Sequence, residues 1–252
     1  MPGRPHDWDG PSYDRVADPM TRWGTNVLDR LPLRGDETVL DAGCGSGRVT
    51  EQLAERLPDG HVIALDASPS MVAAARDRLA RFGDRVSYAV ADVGRGVPLD
   101  AASVDAVLST ATFHWVPDHD ALFGHLARVL RPGGRLVAQC GGAGNIGRVL
   151  TVLGEVGDGW PGPWTFATPE QTRGRLESAG FTHVEAWLND EVETFEAGTP
   201  FREYLRTVVL SAHLKRLPDE AAREAFVAAV AERLPDATIV YVRLNVVGTR
   251  AG

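Results

Sequence analysis

Hydrophobic residues along the chain fall into two patterns: short continuous runs, and longer stretches with an apolar residue every three or four positions. The runs VL from Val39 and VIAL before Asp66 are typical of strands buried on both faces. The stretches between the runs place apolar residues at helical spacing, as at Val49, Leu53 and Leu57. This alternation predicts an α/β protein with a mostly parallel sheet and helices on both faces.

Seven strands are predicted in all. They begin near Val39, His61, Val86, Val104, Arg135, Thr182 and Ile239. A helix precedes the first strand, at about residues 18 to 31. A capping box formed by Thr168 and Gln171 predicts a helix that ends at Gly180. Between the sixth and seventh strands the apolar pattern predicts an insertion of two helices, broken near Pro218.

The composition narrows the class of protein. The 252 residues suffice for one large domain, and 44% hydrophobic with 24% charged residues is ordinary for a globular protein. A formal net charge of -8 argues against a nucleic-acid surface and favours a small-molecule substrate. There is no apolar run near the roughly 20 residues that cross a bilayer, and no signal-peptide segment, so we expect a cytoplasmic protein without a membrane partner. We also expect no metal site, because no metal-ligand spacing occurs in the sequence.

The stretch VLDAGCGSGRVT, from Val39 to Thr50, carries the main chemical signal. It joins a strand to a helix through Gly43, Gly45 and Gly47. Glycine allows positive φ and lets a ligand approach bare backbone at the start of a helix. A dinucleotide site would show G-x-G-x-x-G/A. Here the third glycine comes one residue early, and an acidic residue, Asp41, stands two positions before the first.

These features resemble motif I, E/D-x-G-x-G-x-G, of the class I S-adenosylmethionine (SAM)-dependent methyltransferases. The later stretch LRPGGRL, from Leu130 to Leu136, resembles the L-x-P-G-G-x-L signature of the same family. The resemblance implies a Rossmann-like sheet with an antiparallel last strand, SAM as cofactor and S-adenosylhomocysteine (SAH) as product. It places the methionine part of SAM on the glycine loop, with Asp41 near its amino group directly or through water.

Two further carboxylates follow predicted strands at the same edge of the sheet. Asp66 ends the second strand, where an acidic side chain accepts hydrogen bonds from both hydroxyls of a ribose; the alternative is that it only caps the next helix. By the resemblance, Asp92 accepts from the adenine amine, Val93 offers a backbone contact, and Met71 lies against adenine or simply in the core. Ala67 and Thr110 complete the set of residues that we expect to contact the cofactor. NAD also contains a ribose that Asp66 could bind, so an NAD-dependent oxidoreductase stays as a less favoured alternative.

The loop STATFHWVPDHD, after the fourth strand, lies where reacting groups gather. His114 is a candidate general base, with a structural hydrogen bond as the alternative, and Trp115 is a candidate substrate contact. The fragment FHWVPDH is similar to the trans-aconitate 2-methyltransferase branch of small-molecule methyltransferases. In the N-terminal segment Tyr13 and Trp23 are further candidate substrate contacts, although packing explains them as well.

If the methyl acceptor is a carboxylate, a local cluster of basic residues from the outer elements must offset the negative net charge of the protein. The candidates are Arg173, Arg175, Arg202, Arg206, Lys215 and Arg243. Most of them are equally well explained as ordinary solvated side chains.

The resemblance implies five segments: an N-terminal cap (1–35), a SAM-binding core (36–144), a completion of the core with the sixth strand (145–198), a helical lid (199–236) and the seventh strand (237–252). The expected function is methyl transfer to an oxygen, nitrogen or carbon atom of a small molecule. A SAM-binding protein with a regulatory or non-methylating role is the alternative. The sequence leaves the acceptor and the oligomeric state open.

Overall fold

The computed structural model describes residues 18 to 252, without the side chain of Asp18. Its strands are β1 (Thr38–Ala42), β2 (His61–Asp66), β3 (Val86–Val90), β4 (Val104–Thr110), β5 (Leu130–Gly141), β6 (Phe181–Thr194) and β7 (Thr238–Arg250). They form one sheet in the order β3-β2-β1-β4-β5-β7-β6. Neighbours from β3 to β5 are parallel, and β7 is antiparallel to both β5 and β6. The predicted Rossmann-like fold with an antiparallel last strand is confirmed.

Helices cover both faces of this sheet. They are α1 (Asp18–Leu28), α2 (Arg48–Glu55), α3 (Pro69–Arg78), α4 (His119–Val129), α5 (Gly147–Val156) and α6 (Pro169–Ser178). Val39 and Leu40 of β1 point to opposite faces and belong to two different hydrophobic clusters. The cluster around Val39 includes α1, α2 and α3, while the cluster around Leu40 includes α4 and α6.

The insertion between β6 and β7 is helical, as predicted, but its helices are shorter. It consists of α7 (Thr199–Tyr204), a π-helical turn (Leu205–Val209), α8 (Ser211–Leu214) and α9 (Glu220–Glu232). The wide turn is closed by a bond of 2.7 Å from Leu210 N to Leu205 O. The break near Pro218 is present, because Asp219 caps α9 by accepting from Ala222 N (2.8 Å). A third cluster joins the insertion to α5 and to Trp23 of α1.

Several element ends differ from the sequence prediction for local reasons. Helix α4 begins at His119 because Asp118 accepts from Ala121 N (2.9 Å) and caps it. Strand β5 already begins at Leu130, which pairs with Val104 before an irregular stretch that ends at Arg135. The predicted capping box of α6 is present. Within the described residues, no helix combines the length and apolarity that a membrane span requires.

Candidate active site

A cavity of about 740 Å³ lies at the carboxyl-terminal edge of the central strands, between the sheet and the helical insertion. Strand order reverses at β1, whose neighbours are β2 and β4, so the cavity occupies the topological switch point where open α/β sheets bind ligands. Its volume falls in the range of about 300–1,000 Å³ that is typical of small-molecule sites. One end is lined by the glycine loop, and the other end reaches β7 and the insertion.

The glycine loop is fixed to the end of β2. Its three glycines have φ values of 91, 54 and 86 degrees at Gly43, Gly45 and Gly47. Gly43 N donates to Leu65 O (2.7 Å), and a Cβ at Gly43 would lie 1.9 Å from Thr112 Oγ1. A Cβ at Gly45 would meet no atom within 4 Å. Gly43 is therefore required by packing, whereas Gly45 leaves open space above the loop.

Asp41 lies beneath this loop and is 1% exposed. Its Oδ2 accepts from Thr50 Oγ1 (2.7 Å), while its Oδ1 has no hydrogen-bond partner among the residues described. Burial raises the pKa of the Asp41 carboxyl to about 7, against the hydrogen bond from Thr50, and the nearby charge of Asp66 adds to the rise. An unpartnered oxygen in a buried carboxyl is costly, so this position suits a cationic or donor group.

Asp66, at the end of β2, lines the cavity and holds two backbone segments together. Its Oδ2 accepts from Gly45 N and its Oδ1 from Ser68 N, each at 2.9 Å. The cap of α3 is Ser68, whose Oγ accepts from Met71 N (3.3 Å), so capping is not the role of Asp66. Ala67 and the buried Met71 line the same wall.

Asp92 and Val93 lie just beyond β3, on the cavity side. Asp92 Oδ1 accepts from Gly94 N (3.0 Å), and Arg95 Nε lies 3.3 Å from Asp92 Oδ2. Thr110, the last residue of β4, lines the cavity as well. The structure therefore brings the whole predicted cofactor set together at the cavity except Asp41, which lies behind the loop, and Gly47, which does not line the cavity.

Three aromatic side chains form one wall at the far end of the cavity; we call Trp115, Trp164 and Phe166 the aromatic wall. The rings of Trp115 and Trp164 meet edge to face at 5.8 Å, and those of Trp164 and Phe166 stack at 5.8 Å with 12° between their planes. His114 closes the set, since its ring lies 5.4 Å from Trp115 and 6.0 Å from Phe166. The loop that carries Trp164 is tied down by a bond from Thr165 N to His114 O (2.8 Å).

Three polar side chains gather around Gly141 at the end of β5; we call His114, Asn145 and Arg243 the polar floor. Gly141 N donates to His114 Nδ1 (3.2 Å), and Gly141 pairs with Arg243 across the sheet. Asn145 Oδ1 accepts from Val242 N (3.0 Å), which leaves the Nδ2 group as a donor. All three residues are buried and line the cavity.

His114 is held as a neutral ring. Burial is the main cause that lowers its pKa well below the usual range, followed by the charges of Arg243 and His119. Because Nδ1 accepts from a backbone N–H, the proton of the neutral ring is on Nε2. In this tautomer Nε2 is a donor and has no lone pair left to accept a proton, so the geometry disfavours the general base suggested by the sequence.

The other predicted substrate residues lie in different places. Trp23 is 1% exposed and does not line the cavity; it packs edge to face on Tyr241 at 5.1 Å and under the Arg243 guanidinium at 4.9 Å. Tyr13 lies outside the described residues. Of the six basic candidates, Lys215 and Arg243 line the cavity, whereas Arg206, for example, pairs with Glu220.

Comparison with known proteins identifies the chain. Residues 39–134 match the family described as a methyltransferase domain. The chain is 35% identical to trans-aconitate 2-methyltransferase of Methylobacterium nodulans over 182 aligned residues. The aligned region covers 72% of this chain and 67% of that protein. The chain belongs to the class I SAM-dependent methyltransferases.

Other relatives match a smaller part of this methyltransferase. Trans-aconitate 2-methyltransferase of Methylobacterium radiotolerans is 39% identical over 133 residues, 53% of this chain and 49% of that protein. The chain thus spans about half the length of several curated relatives that it matches. A solved phosphoethanolamine N-methyltransferase 2 of Haemonchus contortus shares the fold, with a TM-score of 0.66 at 20% identity over 96% of this chain and 57% of that one.

Several residues of the site could not be found from the methyltransferase motifs. Asn145, Phe166 and Tyr241 line the cavity, yet each lies in a stretch that matches no motif. Phe166 belongs to an irregular loop, and Tyr241 reads as one more alternating residue of β7. Their only signal is that they follow or belong to strands whose ends meet at one edge of the sheet.

Proposed function

We propose that this chain transfers the methyl group of SAM to a carboxylate oxygen of a small-molecule acceptor. The observation that carries the proposal is that one cavity joins the glycine loop and Asp66 to the polar floor with its buried Arg243. The first end fits a nucleoside with an amino acid attached, and the second end fits an anion. The net charge of -8 favours a small acceptor over a nucleic acid.

The cavity residues, together with Asp41 behind the glycine loop, fit SAM group by group. The unpartnered Oδ1 of Asp41 is suited to the ammonium group, directly or through water. The carboxylate of Asp66 is suited to the ribose hydroxyls, and Asp92 to the adenine amine, with Met71 and Val93 beside the ring. The open space above Gly45 leaves room for the ligand to lie against bare backbone.

Bound SAM supplies an electrophilic methyl group: as the acceptor oxygen bonds to this carbon, the carbon–sulfur electron pair stays on sulfur, and the products are a methyl ester and SAH. A carboxylate is already ionised at neutral pH, so no proton has to be removed. The protein's contribution is then to position the acceptor and exclude water. A neutral, donating His114 is consistent with that role.

The relatives support the same acceptor class. The curated proteins from both Methylobacterium species are named trans-aconitate 2-methyltransferase, and trans-aconitate is a carboxylic acid. In this chain the buried guanidinium of Arg243 supplies the positive charge that a carboxylate needs when it leaves water.

Binding of SAH measured by calorimetry tests the cofactor half of the proposal. Asp66→Ala should weaken SAH binding at least about tenfold, because hydrogen bonds to a charged group contribute about 1.5–3 kcal/mol each. Asp77→Ala, an exposed carboxylate on α3, is the matched control and should bind like the wild type. Equal affinity of the Asp66 and Asp77 variants would place the ligand elsewhere.

Labelled SAM tests the transfer itself. Incubation with a panel of carboxylic acids should move label into base-labile methyl esters. If SAM binds but no label moves to any acid or to a metabolite extract, the chain is a SAM-binding protein without methyl transfer to small molecules. Tight binding of NAD without SAM would support an oxidoreductase.

A further inference from the structure

The far end of the cavity separates polar from apolar groups. The polar floor presents donors: the Nε2–H of His114, the Nδ2 group of Asn145 and the guanidinium of Arg243. The aromatic wall stands beside it, in ring contact with His114. The helical insertion adds Val208, Val209 and Ala212.

We propose that the acceptor is a carboxylic acid with a single carboxylate and a flat, apolar body. The carboxylate lies on the polar floor, and the body lies between the aromatic wall and the insertion. This inference rests on the proposed methyl transfer and specifies its acceptor class.

The donors fit one carboxylate. His114 and Asn145 are oriented by bonds to Gly141 N and Val242 N, and Arg243 Nε donates to Gln139 Oε1 (3.3 Å). All three side chains surround the end of β5 at Gly141 and line the same cavity. A carboxylate has two oxygens with about four acceptor positions, and charge-assisted bonds satisfy them.

Among residues 18 to 252, which the structure describes, a second or third carboxylate finds no comparable place. Groups bound between the aromatic wall and Val208, Val209 and Ala212 of the insertion face rings and aliphatic side chains, where an ion without a partner is strongly disfavoured. Lys215 also lines the cavity, but it is exposed on the insertion, so its charge is largely screened by water. A flat hydrocarbon body, in contrast, gains ring contacts with Trp164 and Phe166.

A binding panel tests the acceptor class without turnover. Wild-type protein saturated with SAH is titrated with trans-cinnamate, its neutral amide and the tricarboxylate trans-aconitate, and calorimetry is combined with quenching of the cavity tryptophans. We expect cinnamate to bind at least about tenfold tighter than either comparison compound. Equal or tighter binding of trans-aconitate would overturn the inference, and so would the absence of binding of cinnamate, sorbate and 2-naphthoate at millimolar concentration.

Variants separate the two halves of the acceptor site. Arg243→Gln should weaken the binding of cinnamate about 10- to 100-fold and leave the affinity for the neutral amide within about threefold of the wild type. General unfolding would not produce such a charge-specific difference. Trp164→Leu should weaken both compounds about tenfold. Trp187→Leu removes a half-buried tryptophan that does not line the cavity and is the matched control.

SAH affinity keeps this inference separable from the proposed function. Each variant should bind SAH like the wild type, which would show that the glycine-loop end of the cavity is folded. If the wild type binds SAH and methylates trans-aconitate in preference to the flat acids, the proposed function stands and this inference fails. If SAH does not bind at all, the proposed function itself fails.

Discussion

At the scale of single residues, buried polar atoms carry the chemistry of this molecule. Asp41 is the clearest case, because an ordinary carboxyl becomes half-protonated near neutral pH once it is buried beneath the glycine loop. The groups that face it are the Thr50 hydroxyl, the Asp66 carboxylate and the Cys44 thiol. The pKa of that thiol is itself raised well above its usual range by burial, so it adds no charge near neutral pH.

Binding of SAH should therefore release a proton from Asp41. A ligand ammonium that interacts with the carboxyl, directly or through water, stabilises its ionised form and lowers its pKa from about 7, so the proton leaves when binding occurs just below pH 7. Calorimetry at pH 6.5 in buffers of different ionisation enthalpy measures the released fraction. Asp41→Asn should abolish the release; an equal release from this variant would assign the proton to another group.

His114 should tolerate replacement by asparagine. The amide oxygen accepts from Gly141 N and the amide nitrogen donates to the cavity, as the neutral imidazole does. We expect kcat/KM for a carboxylate acceptor to stay within about tenfold of the wild type. General acid–base groups contribute about 10²–10⁴-fold, so a loss of that size would restore His114 as the general base.

At the scale of elements, the loop between β1 and α2 uses its glycines for different purposes. The position of Gly43 is closed by Thr112, whereas the position of Gly45 is open. Motif spacing identifies both glycines without distinguishing them. The difference arises because Thr112 comes from the segment after β4, which is 69 residues away along the chain.

Alanine at these two positions should separate stability from binding. Gly43→Ala should lower the free energy of unfolding, measured with urea, by about 2 kcal/mol or more, because positive φ and a clash must both be accommodated. Gly45→Ala should cost about 1 kcal/mol of strain and mainly weaken SAH binding, since its methyl group enters the cavity. The reverse ranking in urea would contradict this assignment.

At the scale of the whole molecule, the third hydrophobic cluster joins the first described helix to the insertion and to β7. Trp23 lies within it and supports Arg243 from behind the cavity. The sequence suggested this tryptophan as a substrate contact. Its burial instead favours a structural role for Trp23, in which it connects elements that are far apart in the chain.

Trp23→Ala should thus act on stability. Removing a fully buried tryptophan costs about 3–5 kcal/mol, while the SAH affinity of the folded fraction should remain within about threefold. Trp187→Ala, at a half-buried site, should cost much less. A raised KM for the acceptor at unchanged unfolding free energy would return Trp23 to the substrate-contact role.

The sequence by itself determined the α/β fold and the strand order along the chain, and it predicted which residues meet at the glycine-loop end of the cavity. Each of these depends on local spacing: apolar periodicity defines the elements, and the residues that end parallel strands meet at one edge. It could therefore be predicted that the glycine loop, Asp66 and Asp92 lie together, and the structure brings them to one cavity.

Only the tertiary structure decided the far end of the cavity, which holds the polar floor. His114, Asn145 and Arg243 are separated by up to 129 residues and become neighbours because β5 and β7 pair in antiparallel register around Gly141. No local pattern encodes that register. The same packing buries Asp41 and fixes the tautomer of His114, and both depend on the surroundings of a side chain rather than on its type.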